Sequence, residues 1–251
     1  MERIKNIVIT GATSGIGRAS VRKLAEEGAR LFFVGRSQEK VLALADELRR
    51  DFPDTHLHPQ VADLSSQRDL RRLAREIRAA MEESGDGVLD VLINNAGTVS
   101  EWHVMTEDGY ELQFAVNHLA PFLLTRELLP ALLRAPAGRV ITVSSASHRN
   151  TRMHWKDVML QKRYGPLKAY KQSKLANVLF TAELNRRYSE AEHGPGTDGH
   201  LLAGGKKRGE DNKNRPGEER RFRAFAVDPG LVNTEIGLKQ TGPLVRAFWN
   251  M

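Results

Sequence analysis

The chain has 251 residues, 40% of them hydrophobic and none of them cysteine. That length and composition suit one domain, 1–251, with a substantial core, and the lack of cysteine excludes disulfides and fits a reducing compartment. A net charge of +7 would permit binding to nucleic acid, acidic lipid or an anionic small molecule, but the cations are mixed with acids along helical segments, as on solvated surfaces. The first apolar run is too short for a signal peptide or a membrane span. We therefore expect a soluble, cytoplasmic protein.

The first predicted element is a buried strand at residues 4–10, which leads directly into a glycine-rich turn. Gly11, Gly15 and Gly17 precede a helical pattern that ends near Gly28. Glycines at such a turn let a pyrophosphate approach the backbone closely, and the N-terminus of the helix favours its negative charge. The spacing differs from the Gly-x-Gly-x-x-Gly fingerprint, and a simple turn is the alternative. The strand before the glycines and the helix after them favour nucleotide binding.

A second strand, at residues 31–34, ends in Gly35, Arg36 and Ser37. In a dinucleotide-binding fold the residue at this strand end meets the adenosine ribose, where an acid suits a 2′-hydroxyl and an arginine suits a 2′-phosphate. Arg36, with no acid at the strand end, therefore favours NADP over NAD. Arg18 could add charge at the same place, and either arginine could instead be a solvated residue at a helix end. Ser37 is a candidate cap for the next helix.

Two further strands, at about 56–61 and 88–93, also end in polar turns. Asp63 follows the third strand, where it could hydrogen-bond an adenine amino group or merely begin a turn. The fourth strand is followed by the sequence NNAG at 94–97, where small residues would let a cofactor lie against the backbone.

A fifth strand, Arg139–Val143, brings Ser144 and Ser145 to the edge at which open α/β sheets bind ligands. Serines after a strand are often only helix caps, which is the alternative for this pair. The alternation of strands and helices predicts an α/β fold with a doubly wound parallel sheet of the Rossmann type.

The segment from about 107 to 133 has helical apolar periodicity and contains Asn117 in its middle. Asparagine is mildly unfavourable inside a helix unless its amide is used, so Asn117 is a candidate for a structural or water-holding role. His118 beside it is interpreted as a helix-face residue. Pro121 and Pro130 predict a kink or a break in this helix.

The sequence contains two Tyr-x-x-x-Lys spacings. The one at 164–168 encloses a glycine and a proline, which disfavour an uninterrupted helical turn. The one formed by Tyr170 and Lys174 opens a run of apolar residues at helical spacing. Residues four apart on a helix are neighbours, and a nearby cation favours a phenolate. Tyr170 therefore becomes a candidate proton donor and acceptor near neutral pH.

Taken together, these motifs make the chain resemble the short-chain dehydrogenase/reductase family. The motifs are TGATSGIG at 10–17, NNAG at 94–97, an asparagine in the fourth helix, a serine before Tyr-x-x-x-Lys, and Asp228-Pro229-Gly230 followed by Thr234. They cover nearly the whole chain in the order of the family. The sequences SSASH, AYKQSKLANVLF and VDPGLVNTEI are most similar to the retinol-dehydrogenase-like branch.

The resemblance implies a role for each matching residue. Tyr170 would be the general acid/base, Lys174 would lower its pKa and hold the nicotinamide ribose, and Ser145 would hydrogen-bond the substrate oxygen. Asn117 would seat a water that links Lys174 to solvent. The NADP cofactor would be lined, besides Tyr170 and Lys174, by Gly11, Ser14, Ile16, Gly17, Arg36, Asp63, Leu64, Asn94, Ala96, Gly97, Pro229, Gly230 and Thr234. Hydride transfer needs no metal, and the sequence shows no clustered metal-ligand set.

The chain departs from the family pattern in two places. Residues 190–221 are rich in glycine and charge, so we expect a disordered insert whose Lys206–Arg208 run is a solvated linker or, alternatively, a contact for nucleic acid or membrane. After Thr234 the chain stops early, so we expect it to lack the last strand of the family and to have an incomplete substrate pocket. The apolar residues near the carboxyl end would begin a substrate cap or make a peripheral contact with a partner or membrane.

Three hypotheses follow from the sequence. The first is an NADP(H)-dependent oxidoreductase acting on a small apolar alcohol or carbonyl substrate, such as a retinoid, a steroid or a lipid aldehyde or ketone. The second is a catalytically silent NADP-binding protein with a regulatory or scaffold role. The third, a nucleic-acid-binding protein, is not expected. The substrate, the direction of reaction and the oligomeric state, for which a homodimer is one option, are left open by the sequence.

Overall fold

The structure is a computed structural model that describes residues 3–83, 85–189 and 221–230. The predicted disordered insert lies outside the described residues except for Arg221. Thr234, the expected absence of the last strand and the apolar carboxyl end also lie outside them. Those predictions remain predictions.

Within the described residues, six strands form a single parallel sheet. They are β1 (Asn6–Thr10), β2 (Arg30–Gly35), β3 (Leu57–Val61), β4 (Val91–Asn94), β5 (Arg139–Val143) and β6 (Arg223–Val227). Their order across the sheet is β3-β2-β1-β4-β5-β6, so the order reverses between β1 and β4. Ligands bind at such a switch point in open α/β sheets. The predicted doubly wound fold is confirmed, with β1 and β4 each starting later than expected and β6 not foreseen.

The helices cover both faces of this sheet. They are α1 (Gly15–Glu26), α2 (Gln38–Asp51), α3 (Gln67–Glu83), α4 (Leu112–Phe114), α5 (Ala120–Arg134) and α6 (Pro166–Tyr188). Successive strand residues point to opposite faces, which is why Ile7 and Ile9 pack with α1 and α2, whereas Val8 packs with α3 and α5. Among the described residues, no helix has the length and apolar character needed to cross a membrane.

The prediction for 107–133 is wrong on two points, namely where the helix starts and where it is irregular. Helix α4 starts only at Leu112, where the Glu111 carboxylate accepts hydrogen bonds from the Gln113 and Phe114 amides, both at 2.8 Å. A π-helical segment, Ala115–Leu119, then joins α4 to α5. Pro121 lies in the first turn of α5, and Pro130 lies inside α5 without ending it. The irregularity therefore precedes the prolines and includes Asn117.

Candidate active site

The glycine-rich turn after β1 is packed so tightly that side chains would not fit. A Cβ atom added at Gly17 would lie 2.1 Å from the Gly11 carbonyl oxygen, and Gly11 itself has a positive φ of 69°. The Asn95 side chain, beyond β4, donates to the carbonyls of Thr10 and Gly11 at 2.9 and 3.2 Å. The turn is thus fixed against the neighbouring strand end, with its backbone and the N-terminus of α1 open to a ligand.

An open cleft of about 650 Å³ lies at this edge of the sheet. It brings together most of the residues expected to hold the cofactor, along with three of the four expected catalytic residues. These are Gly11, Ser14, Ile16, Gly17, Arg36, Asp63, Leu64, Ala96, Gly97, Ser145, Tyr170, Lys174, Pro229 and Gly230. The cleft is also lined by residues that were not predicted, among them Thr13, Ser37, Lys40, Asn95, Thr98, Leu112, Val116 and Val143.

Two cations face the part of the cleft beyond β2. Arg36 and Lys40 are both exposed and both line the cleft, and neither forms an ion pair with any residue that the structure describes. Arg18, by contrast, pairs with Glu47 at 2.5 Å and is not among the described cleft-lining residues, so the helix-surface alternative holds for it. Lys40 lies four residues after Arg36 in the first turn of α2, and that spacing is the signal that would have identified it.

The three side chains expected to carry the chemistry meet at one end of the cleft. Tyr170 and Lys174 lie on α6 and are only 5% and 2% exposed, with the Lys174 Nζ 5.5 Å from the centroid of the phenol ring. The hydroxyl of Ser145 is hydrogen bonded to Tyr170. Ser145 also accepts from the Ser147 amide at 3.2 Å, so it caps the turn after β5 as well. Ser144 is different, because its hydroxyl donates to the Lys174 backbone carbonyl at 2.9 Å.

Burial sets the protonation of this pair. It raises the pKa of Tyr170 to about 12, an effect that the hydrogen bond from Ser145 only partly offsets and that the charge of Asp228 reinforces. Burial also lowers the pKa of Lys174 to about 8. The expected lowering of the Tyr170 pKa is therefore wrong for this structure, because burial dominates. At neutral pH the tyrosine is a phenol with a proton to donate.

Asn117 lies beneath the cleft, where its side chain links two elements. Its Oδ1 accepts from the Thr98 amide at 2.7 Å, and its Nδ2 donates to the Ser173 hydroxyl at 3.1 Å. In a regular α-helix its carbonyl would accept from the residue four positions later, but that residue is Pro121, which has no N–H. The carbonyl instead accepts from the Asn177 side chain at 2.9 Å. Its predicted water-holding role stays a prediction.

Three other polar residues singled out in the sequence have structural partners. Asn94 is buried below the cleft and donates to the Thr125 hydroxyl at 3.2 Å, so its side chain is not part of the cleft lining. Asp63 lines the cleft and also accepts from the amide and hydroxyl of Ser65, as a turn-forming residue does. The His118 ring lies 3.1 Å from the Asn177 Oδ1 and packs on Phe114, away from the cleft, in agreement with its interpretation as a helix-face residue.

Comparison with known proteins identifies the class that this fold and cleft define. A family model described as short chain dehydrogenase matches residues 5–192. The chain therefore belongs to the short-chain dehydrogenase family of oxidoreductases, as its motifs indicated.

Within that family the chain belongs to the retinol-dehydrogenase-like branch. It is 40% identical to retinol dehydrogenase 13 of Homo sapiens over 184 residues, which are 73% of this chain and 54% of the relative. It is also 40% identical to retinol dehydrogenase 12 of Mus musculus over 183 residues, 73% of this chain and 56% of that relative. The chain thus spans about half the length of the curated relatives that it matches.

Solved structures agree with the fold. A protein of Mycobacterium paratuberculosis matches with a TM-score of 0.61 and 39% identity, over 73% of this chain and 62% of that one. A short-chain dehydrogenase from Sphingobium yanoikuyae, solved in complex with NADPH, matches with a TM-score of 0.59 and 24% identity, over 73% of this chain and 66% of that one. At that identity the second match supports the fold alone.

Proposed function

We propose that this protein is an NADP(H)-dependent oxidoreductase that interconverts a small apolar alcohol and the corresponding aldehyde or ketone. The proposal rests on one observation. Ser145, Tyr170 and Lys174 lie close together in a cleft that is also lined by the glycine-rich turn. A phenol that is hydrogen bonded to a hydroxyl, with an ammonium 5.5 Å from the phenol ring, suits a reaction in which charge develops on a substrate oxygen.

The residues present fit a nicotinamide dinucleotide. Gly11 and Gly17 are packed too tightly against the protein to carry side chains, and both line the cleft, so a pyrophosphate would meet bare backbone there. Arg36 and Lys40 supply two cations without ion-pair partners among the described residues, which suits a 2′-phosphate and favours NADP over NAD. When bound, the nicotinamide would supply or accept the hydride.

The side chains of the chain itself would handle the proton. Tyr170, protonated at neutral pH, donates to the substrate oxygen as a carbonyl is reduced and takes the proton back in the reverse direction. Ser145 hydrogen-bonds the same oxygen and fixes its position. Lys174 places a positive charge beside the phenol, and it stabilises the phenolate once the proton has left.

An apolar substrate is supported by the lining of the cleft and by the relatives. Leu112, Val116 and Val143 contribute apolar surface. The relatives at about 40% identity are named retinol dehydrogenases, and a retinoid, steroid or lipid aldehyde is the substrate class we propose. The silent NADP-binding alternative has no specific observation in its favour. The cytoplasmic location and the homodimer stay predictions.

The proposal is tested by NADPH oxidation, followed by absorbance, with the purified chain and a panel of retinals, steroid ketones and lipid aldehydes. We expect turnover of at least one apolar carbonyl, faster with NADPH than with NADH. Binding of NADPH without turnover of any member of the panel would favour the silent alternative. Failure to bind either nucleotide would contradict both.

The cation pair gives a prediction about cofactor choice. Replacing Arg36 and Lys40 by alanine (R36A/K40A) should weaken NADPH binding by roughly 10- to 100-fold, because charge-assisted hydrogen bonds to a phosphate are lost. NADH binding should change little, since NADH has no 2′-phosphate. The measurement is a fluorescence titration with both nucleotides. Arg18→Ala is the matched control, and an equal loss of NADPH affinity there, or an equal loss of NADH affinity in R36A/K40A, would contradict the assignment.

A further inference from the structure

Two loops that follow cleft-lining residues in the chain, Thr98 and Ser145, hold tryptophans that are largely exposed to solvent. Trp102 and Trp155 are 73% and 74% exposed, more than any other large apolar side chain that the structure describes. Val104 and Met105, next to Trp102, are also well exposed, at 40% and 39%. Single exposed apolar residues are normal on a protein surface, but a group of them marks a site of contact with a protein, a membrane or a ligand.

The two loops are fixed to each other and to the core. The His103 Nε2 lies 2.9 Å from the Met159 carbonyl oxygen, and the His103 ring makes an edge contact with the Tyr164 ring at 5.2 Å. The Tyr164 hydroxyl donates to the Ser100 carbonyl at 2.7 Å. Residues 101–105 and 152–163 therefore form one ordered surface, which we call the Trp102–Trp155 surface.

The second loop is also fixed to helix α6. The buried Gln172 accepts from the His154 amide at 2.9 Å and donates to the Val158 carbonyl at 2.8 Å. Trp155 lies between these two anchored residues, so its backbone is held in place while its side chain projects into solvent. Its exposure is a property of an ordered loop.

The second loop of this surface is cationic. Residues 149–168 contain six lysines and arginines and a single acid, Asp157, whereas residues 101–105 contribute one acid, Glu101, and no lysine or arginine. The Asp157 carboxylate is already bound to the backbone amides of Gln161 and Lys162, at 2.8 and 3.1 Å. The exposed Arg152 and Lys156, on either side of Trp155, form no ion pair with a described residue. The pKa of His154 is lowered, first by desolvation and then by the charges of Lys168 and Arg152, which outweigh the opposite effect of Asp157.

We infer that the Trp102–Trp155 surface docks on an anionic lipid bilayer. Tryptophan prefers the boundary between headgroups and acyl chains, and adjacent lysines and arginines are attracted to anionic lipid. Nucleic acid would also attract the cations. The apolar Val104 and Met105, however, would find no apolar surface to pack against on a phosphate backbone, whereas they could insert into a bilayer. The inference does not rest on the proposed reaction. It would place the cleft where an apolar compound dissolved in lipid can reach it.

The position of the loop in the chain supports this geometry. Its cationic part begins four residues after Ser145 and ends shortly before Tyr170, so both of its ends lead into the proposed catalytic residues. This surface is distinct from the carboxyl end, which the sequence suggested as a membrane contact and which lies outside the described residues.

The test is co-sedimentation of the purified chain with phosphatidylcholine vesicles, with and without phosphatidylserine. We expect binding only when phosphatidylserine is present, falling as salt is raised. The charge reversal R152E/K156E should weaken binding by more than about tenfold, and Trp155→Ala should weaken it without any change of charge. The variant R71E/R75E, which reverses two exposed arginines on α3, is the matched control and should bind as the unchanged chain does.

The inference is overturned if the unchanged chain does not sediment with anionic vesicles, or if it binds neutral vesicles equally well. It is also overturned if R152E/K156E keeps full binding, which would place the contact elsewhere in the chain. Tighter binding to a single-stranded oligonucleotide than to the vesicles, with no effect of Trp155→Ala on vesicle binding, would identify a nucleic-acid surface instead. Titration of each variant with NADPH keeps this outcome separate from the cofactor site, because cofactor affinity should be unchanged throughout.

Discussion

Replacing Tyr170 by phenylalanine should lower the rate of carbonyl reduction by roughly 10²- to 10⁴-fold while NADPH still binds. Phenylalanine fills the same buried space, so the substitution removes the hydroxyl, together with its hydrogen bond to Ser145, and keeps the ring. The pKa of about 12 means that the native residue carries its proton throughout the neutral range. The variant has no proton to donate at that position, and the charge that develops on the substrate oxygen is no longer neutralised.

The measurement is kcat and kcat/KM with NADPH and the best carbonyl of the panel, together with the Kd of NADPH. Tyr164→Phe is the matched control, because it removes a phenol hydroxyl from the other Tyr-x-x-x-Lys spacing. The Tyr164 hydroxyl is bound to the Ser100 carbonyl and the Gln113 side chain, and Tyr164 is not among the described residues that line the cleft. Its loss should have a much smaller effect on kcat. Equal loss in the two variants, or a Tyr170→Phe variant with near-normal kcat, would contradict the assigned role.

The choice between the two Tyr-x-x-x-Lys spacings could be made from the sequence because it depends on local backbone chemistry. Gly165 is the N-cap of α6 and Pro166 its first residue, so Tyr164 stands outside the helix, as predicted. Local sequence also gave β1 and β2, whose buried residues form short apolar runs. Strand β6 was not predicted although Ala224–Val227 is an apolar run. In the described sheet it is an edge strand, with Phe225 and Val227 left 45% and 40% exposed.

Two features of the site could not be predicted from the sequence, because both depend on which groups are buried together in the fold. The sequence at 107–133 shows where the prolines lie. It does not show that the Asn117 carbonyl, which Pro121 leaves without an amide donor, accepts a hydrogen bond from Asn177 on α6. The spacing of Tyr170 and Lys174 likewise predicts that they are neighbours. It cannot predict that both are buried, and burial opposes the charged form of each. This is why the direction of the Tyr170 pKa shift was wrong although the pair itself was found.

The burial of Lys174 has a cost to stability that a substitution should remove. The Lys174 residue is only 2% exposed, and its ammonium forms no ion pair with any described residue. The ammonium donates a hydrogen bond to the Val143 carbonyl at 2.9 Å. Its pKa falls from the ordinary value of 10.5 to about 8. A shift of that size corresponds to a penalty of about 3 kcal/mol at neutral pH, where the folded and unfolded chains are both protonated. Loss of the hydrogen bond would offset about 1 kcal/mol of any gain.

Lys174→Met should therefore abolish turnover and yet raise the free energy of unfolding at pH 7 by about 2 kcal/mol, or Tm by roughly 4–8 °C. Between pH 8 and 10.5 the unfolded chain binds more protons than the folded one, so the stability of the unchanged protein should rise with pH in that window. The variant lacks this group, so the two stability curves should cross between pH 8 and 10.5, beyond which the unchanged protein keeps the advantage of its hydrogen bond. Thermal unfolding across that pH range is the measurement. Lys171→Met, a partly exposed lysine on the same helix, is the control that should show neither effect. A Lys174→Met variant destabilised by the same amount at every pH would mean that the ammonium contributes packing and hydrogen bonding that outweigh the cost of its burial.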